Sequence, residues 1–278
     1  MGESVVLEKF LLDRTTVFGF QRLYPTNVRE CADSTHVSFG GIYDGKPAAL
    51  ISLRVVGLEL YLDWIFTAEE YRNRGIMTEL WEYVFEMLTI NGDFDVIDVV
   101  CPGDDLRDFF EKKSFVFEYD EVGTCYYSDI ANMKELKGKE GKASGMRLKD
   151  LGDTELKLIN NDLINAKEAA YCVKLPVIPS HYHPLSRVSL SKTGVNAMVL
   201  LKRESVDTMD ISYVYKTNGS EVALMLMIKE IKDEVLQYIP ECKKIRTTAL
   251  NDSSRALFEA LFKESYKEPL YSAYKLLI

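Results

Sequence analysis

The residues best suited to chemistry lie in one run, Leu60–Met87, where Arg72-Asn73-Arg74-Gly75 separates an alternating apolar stretch from an amphipathic one. If the second stretch is a helix, its first N–H groups lack intrahelical acceptors and converge on one point, and the helix dipole favours negative charge there. Gly75 permits a backbone conformation that a Cβ would oppose, and the two arginines add positive charge. The chemistry this spacing predicts is capture of an anion at the helix start. Asp63 lies in the preceding strand, and alternation places it on the face of Ile65 and Thr67. It reads equally as a general base or as a strand carboxylate satisfied by a neighbour. His36 stands alone at a strand start and reads as structural. His181-Tyr182-His183 lies between prolines with no carboxylate or cysteine at ligand spacing, so no metal is expected there.

These residues need elements to hold them. Period-two patterning predicts strands at 36–43, 48–56 and 59–66, followed by a helix at 76–88 and a strand at 94–101. A short helix at 105–113 and strands near 115–119 and 123–128 come next. The segment 5–32 has mixed periodicity and reads as helical. Residues 134–144, KELKGKEGKAS, are Lys-, Gly- and Glu-rich and read as a linker. The chain is thereby divided into a first domain at 1–133, the linker, and a second domain at 145–278. In the second, strands are expected at 146–148, 187–191, 196–202, 209–215, 244–249 and 270–277. Helices are expected at 153–170, 221–238 and 253–263. The fold class is α/β, each domain a mixed sheet flanked by helices. Shifting the sequence by 148 residues superposes 65–115 on 213–263 without a gap, and nine of the 51 positions are identical. Asp104/Asp252, Arg107/Arg255, Phe110/Phe258 and Glu111/Glu259 are among them, so the halves read as two copies of one fold.

The strand, the turn Arg72-Asn73-Arg74-Gly75-Ile76-Met77 and the following helix resemble the GNAT superfamily of acyl-CoA-dependent N-acetyltransferases, whose turn is Arg/Gln-x-x-Gly-x-Gly/Ala. Arg72 and Gly75 match and Met77 departs. The segment DLRDFFEKKSF is similar to the last shared helix of the family and the strand after it, with Ser114-Phe115 in place of Gly-Phe. The resemblance implies acetyl-CoA as co-substrate, its pyrophosphate on Arg72, Asn73, Arg74, Gly75, Ile76, Met77 and Thr78. It implies a fourth strand splayed from the fifth near Phe66 and Thr67, where a backbone N–H would stabilise an oxyanion. It further implies direct attack by an amine in a ternary complex, with Asp63 as the candidate base. The tyrosine that relatives often use to protonate the thiolate is replaced by Phe110, leaving Tyr126, Tyr127, water or unassisted departure. In the second copy Ser220, Val222 and Ala223 replace Arg72, Arg74 and Gly75, and Glu221 brings a carboxylate to the helix start. That copy reads as degenerate and silent toward CoA.

The 278 residues carry 34 Lys and Arg against 43 Asp and Glu, a net charge of −9, which disfavours nucleic acid and with it a tRNA-dependent transferase. No apolar run approaches the roughly 18 residues a membrane span needs, and the first residues lack the charge of a secretory signal. Five scattered cysteines without CxxC spacing suggest reduced thiols and a cytoplasmic location. The expected partner is a small-molecule or peptide amine, with no nucleic acid, membrane or metal. The protein is expected to be a monomer whose halves form a pseudo-dimer, or a homodimer. A catalytically inactive acyl-CoA sensor is the alternative.

Overall fold

The structure, a computed structural model, describes residues 6–13, 15–24, 35–117, 121–134, 145–165, 173 and 175–277. It divides into two compact units, one of Met1–Asp120 with Tyr271–Ile278 and the other of Glu121–Leu270.

In the first unit β1 (Glu8–Leu11), β2 (His36–Tyr43), β3 (Lys46–Val56) and β4 (Glu59–Thr67) form an antiparallel series, and β5 (Val96–Pro102) joins β4 in parallel. The far side of β5 takes the second part of β13 (Tyr266–Leu276), which also pairs with β6 (Val116–Phe117) through Ala273 and Phe117. Helix α1 (Ile76–Asn91) crosses from β4 to β5, as a parallel pair requires. Leu80, Trp81, Val84 and Leu88 recur at helical spacing and are buried with Leu50, Ile51, Leu53 and Leu60 of the sheet. Gly92 ends the helix in the left-handed conformation at φ 65°, its N–H reaching Leu88 O.

The second unit repeats this plan. Its ladder runs β8 (Met146–Arg147), β9 (Arg187–Leu190), β10 (Val195–Arg203), β11 (Thr208–Lys216) and β12 (Lys244–Ala249), with β11 and β12 parallel. Helix α3 (Asp153–Ile164) precedes β9, α4 (Glu221–Tyr238) joins β11 to β12, and α5 (Asp252–Leu261) follows β12. In the first unit, α2 (Asp104–Lys112) holds the place of α5. Leu224, Met227, Ile228, Ile231 and Val235 of α4 are buried against Val199, Leu201, Met209 and Ile211.

Two expectations change. The division between units does not fall at 134–144, of which 135–144 lie outside the described residues. Instead β7 (Gly123–Asp129) pairs with β12 in the second unit, and the first part of β13 pairs with β7 from Tyr266↔Tyr127 to Leu270↔Gly123. The second part of β13 serves the first unit. Each sheet is thus completed by a strand distant in sequence, and its backbone donors and acceptors are paired there. The segment 5–32, read as helical, holds β1 and a single 3-10 turn at Thr16–Phe20 among its described residues. Asp13 accepts from the N–H groups of Thr15 and Thr16 and ends the strand with a local turn.

Phe110 on α2 is 0% exposed, with its ring 5.5 Å from Trp81, 5.1 Å from Phe115 and 5.2 Å from Phe109. Restoring a tyrosine there therefore does not restore an acid. Phe110→Tyr buries a hydroxyl among aromatic rings and should lower stability by about 1–3 kcal/mol in urea unfolding, with no gain in turnover.

Candidate functional site

The site begins with an irregularity in β4. Ser52 faces Trp64 and Leu53 faces Leu62, so Asp63 is an extra residue in the register with β3. Such a bulge bends its strand and increases the local twist. The parallel ladder with β5 covers only Glu59–Tyr61 against Val96–Asp98 and ends where the bulge begins. Beyond it, β4 follows β3 alone and a wedge opens toward β5. Ala68 N donates to Ala48 O at 2.9 Å, and alternation from that pair sends the Phe66 N–H to β3. The N–H and C=O groups of Ile65 and Thr67 are directed into the wedge.

A short 3-10 turn at Glu69–Tyr71 leads from the strand to Arg72. The Arg72 Nε donates to Thr67 O at 3.2 Å, and its guanidinium lies 5.6 Å from the Phe66 ring centre. The Arg74 guanidinium lies over Tyr71 at 5.8 Å and Tyr43 at 6.0 Å. Asn73 and Gly75 both take positive φ, 61° and 77°, which folds the turn back onto the helix start. Gly75 is the N-cap and brings no side chain to cap the helix. The first helical bond is Glu79 N to Gly75 O at 3.0 Å, so the N–H groups of Ile76, Met77 and Thr78 have no intrahelical acceptor. Arg72, Asn73, Arg74 and Gly75 are exposed around these donors. Open amides, a dipole end and two cations together suit a diphosphate.

Asp63 has partners that strand alternation does not assign. The Arg54 Nε–H is shared between its two oxygens at 3.1 Å each, and His36 Nε2 lies 3.0 Å from Oδ2. The His36 ring is 2% exposed, and its Nδ1 lies 3.3 Å from Thr35 Oγ1. Asp63 retains 31% exposure, so one edge stays open to solvent beside the wedge. The bulge also removes the strict alternation that placed Asp63 on the face of Ile65 and Thr67. Cross-strand pairing carried a usable signal, because His36 and Arg54 are direct neighbours on β2 and β3. The register that brings Asp63 to them depends on the extra residue.

The second unit treats the equivalent place differently. Helix α4 begins at Glu221, one turn earlier than the counterpart of Ile76, and the connection Thr217–Ser220 is short. The Glu221 carboxylate is held below its usual range by Lys216, 2.7 Å away, and by backbone N–H groups at the helix start. The helix thus supplies its own anion. Tyr126 and Tyr127 lie on β7, the Tyr126 hydroxyl 3.5 Å from Glu259, and so belong to this unit and not to the first. His183 Nδ1 accepts from Leu185 N at 3.3 Å, and burial lowers the ring to about 4. Among the described residues no three His, Cys, Asp or Glu side chains group as metal ligands, and no helix is long and apolar enough to cross a membrane.

The sequence profile of the acetyltransferase (GNAT) family matches residues 7–127. That stretch, somewhat less than half of the chain, resembles a GNAT acetyltransferase domain. No curated protein matches it in sequence. A tandem GNAT protein from the clavulanic acid biosynthesis pathway superposes with a TM-score of 0.68 at 13% identity, over 98% of this chain and 99% of that one. A putative acetyltransferase from Pyrococcus horikoshii gives 0.60 at 12% identity, over 97% and 89%. A GCN5-related N-acetyltransferase from Sphaerobacter thermophilus gives 0.52 at 9% identity, over 98% and 96%. At these identities the likeness establishes the fold, two GNAT-like halves in tandem. The profile match ends within β7, the strand that pairs with β12 in the second unit.

A Cβ at Gly75 would meet no heavy atom within 4 Å, so the φ of 77° and not crowding demands glycine. Gly75→Ala should cost roughly 1–2 kcal/mol of stability through left-handed strain alone. A shift of the urea midpoint with unchanged slope would report it.

Proposed function

We propose that the first unit binds acetyl-CoA and passes its acetyl group directly to an amine. The observation that carries this reading is the coincidence of a bulged, splayed β4 with open amides at Ile76–Thr78 at the end of the same segment. The diphosphate would rest on the backbone of Arg72, Asn73, Arg74, Gly75, Ile76, Met77 and Thr78, with Arg74 supplying charge. The thioester arm would lie in the wedge past Phe66 and Thr67. The outward N–H of Thr67 is oriented to receive the oxyanion of the tetrahedral intermediate, a fixed dipole that needs no reorganisation during reaction.

The amine must be neutral to attack. Asp63 is offered as the group that takes its proton, directly or through one water, while Arg54 and His36 fix the carboxylate. Collapse of the intermediate expels the CoA thiolate, whose ordinary pKa of about 8–9 lets it leave without an acid in the place of Phe110. An intermediate on Cys101 is disfavoured because burial pushes its thiol up to about 12. The free, buried Cys101, Cys125 and Cys242 support a cytoplasmic location. The acceptor class is a small-molecule or peptide amine.

Calorimetric titration with acetyl-CoA should give one site per chain, and a value near two would overturn the silence of the second unit. Arg74→Ala should weaken binding by about 1–3 kcal/mol, and Gly75→Glu should abolish it by placing a carboxylate among the turn amides. Thiol release with an amine panel separates a transferase from an acyl-CoA sensor, which would bind without turnover. Asp63→Asn should lower kcat by about 10²–10⁴-fold with acetyl-CoA affinity unchanged. A lower melting temperature with full activity per folded molecule would instead make Asp63 a purely structural partner of Arg54.

A further inference from the structure

The second unit contains a cavity of about 400 Å3 that the acetyl-transfer reading does not use. It lies where β11 leaves β12. The parallel pairing ends at Ile211 and Thr247, and Ser212 is an extra residue between Ile211↔Leu201 and Tyr213↔Leu200. Its size is within the roughly 300–1,000 Å3 of small-molecule pockets. Val214, Leu224, Met225, Leu257 and Phe258 supply apolar lining.

Several of its polar side chains are already paired. Lys216 and Glu221 form a 2.7 Å pair, Ser212 Oγ donates to Asp210 at 2.6 Å, and Asn251 and Ser254 cap α5 reciprocally. Lys216 is the one cationic side chain among the described lining residues, and it is neutralised by Glu221. Backbone groups offer a ligand further positions. Thr217 N donates to Asn196 O at 2.8 Å, and alternation from that pair turns the N–H and C=O of Val214 and Lys216 away from β10 into the cavity. A strand edge offering donors and acceptors at a two-residue repeat is suited to an extended amide, with apolar substituents against the walls.

We propose that this cavity is a binding site for a short, uncharged, extended amide with apolar substituents, and that it excludes nucleotide cofactors. The inference goes beyond acetyl transfer and holds whether or not the first unit is active, because it rests on the second unit alone. Lys216 and Glu221 cancel in charge at the mouth, so a polyanion gains nothing there. An amide loses only its own hydration and regains it on Val214 and Lys216.

The test is an amide-resolved NMR titration of the isotopically labelled full chain with N-acetyl-leucine methylamide to millimolar concentration, followed by coenzyme A in a separate sample. Saturable shifts at the Val214 and Lys216 amides with the capped leucine, and none there with coenzyme A, support the site. Absence of saturation at those amides, or equal shifts with coenzyme A, overturns it. Leu257→Trp should fill the cavity and abolish the leucine-amide shifts. Ser253→Trp, on the exposed first turn of α5, offers a second block at a position that leaves the core intact. Unchanged shifts in a folded blocked variant would also overturn the proposal. Acetyl-CoA binding measured on the same samples reports the first unit separately.

Discussion

One extra residue in each splaying strand governs both units. Asp63 in β4 and Ser212 in β11 stand outside the antiparallel register on one side, and the parallel ladder on the other side stops within two residues of each. A regular strand would stay paired along its length and leave no room for a ligand. The bulge converts a closed ladder into a wedge and frees alternate backbone groups along one edge. Whatever either unit binds there depends first on that insertion.

The connection after the wedge sets the two units apart. In the first, Ala68–Gly75 carries positive φ at Asn73 and Gly75 and delivers α1 with open amides and no acidic residue in the helix before Glu79. In the second, Thr217–Ser220 is half as long, and α4 starts with Glu221 over its own amides. The same backbone plan therefore presents exposed arginines beside open amides in the first unit and a neutralised Lys216–Glu221 pair in the second. Arg72 and Arg74 are oriented by aromatic faces, one carbonyl and, for Arg72, the exposed Glu69 carboxylate 4.0 Å away, which positions their charge while leaving both exposed.

Much of this was legible in the sequence. Helix α1 follows from the spacing of Leu80, Val84 and Leu88, and Gly75 and Gly92 mark its ends with the conformations those positions require. The repeat also predicted the order of elements, because matching cores need matching periodicity. The bulge at Asp63 was not legible, since it is a relation between β3 and β4 and leaves no local mark in either. The Arg54–Asp63–His36 cluster depends on that register and was missed with it. The pairing of β7 and β13 was hidden for another reason. Buried and half-buried residues mix in both strands without a strict two-residue repeat, so neither pattern names the strand it pairs with.

The placement of β13 also bears on the order in which the units can form as the polypeptide emerges from the ribosome. Residues 121–270 are contiguous, so the second unit holds its whole ladder once Leu270 has been made. The first unit contains the earlier helices and the candidate donor site, yet β5 lacks its outer neighbour until residues 271–276 have been made. Synthesis therefore runs against assembly, and the unit translated first is completed last. During that interval the exposed edge of β5 is a surface that chaperones or a neighbouring nascent chain can reach.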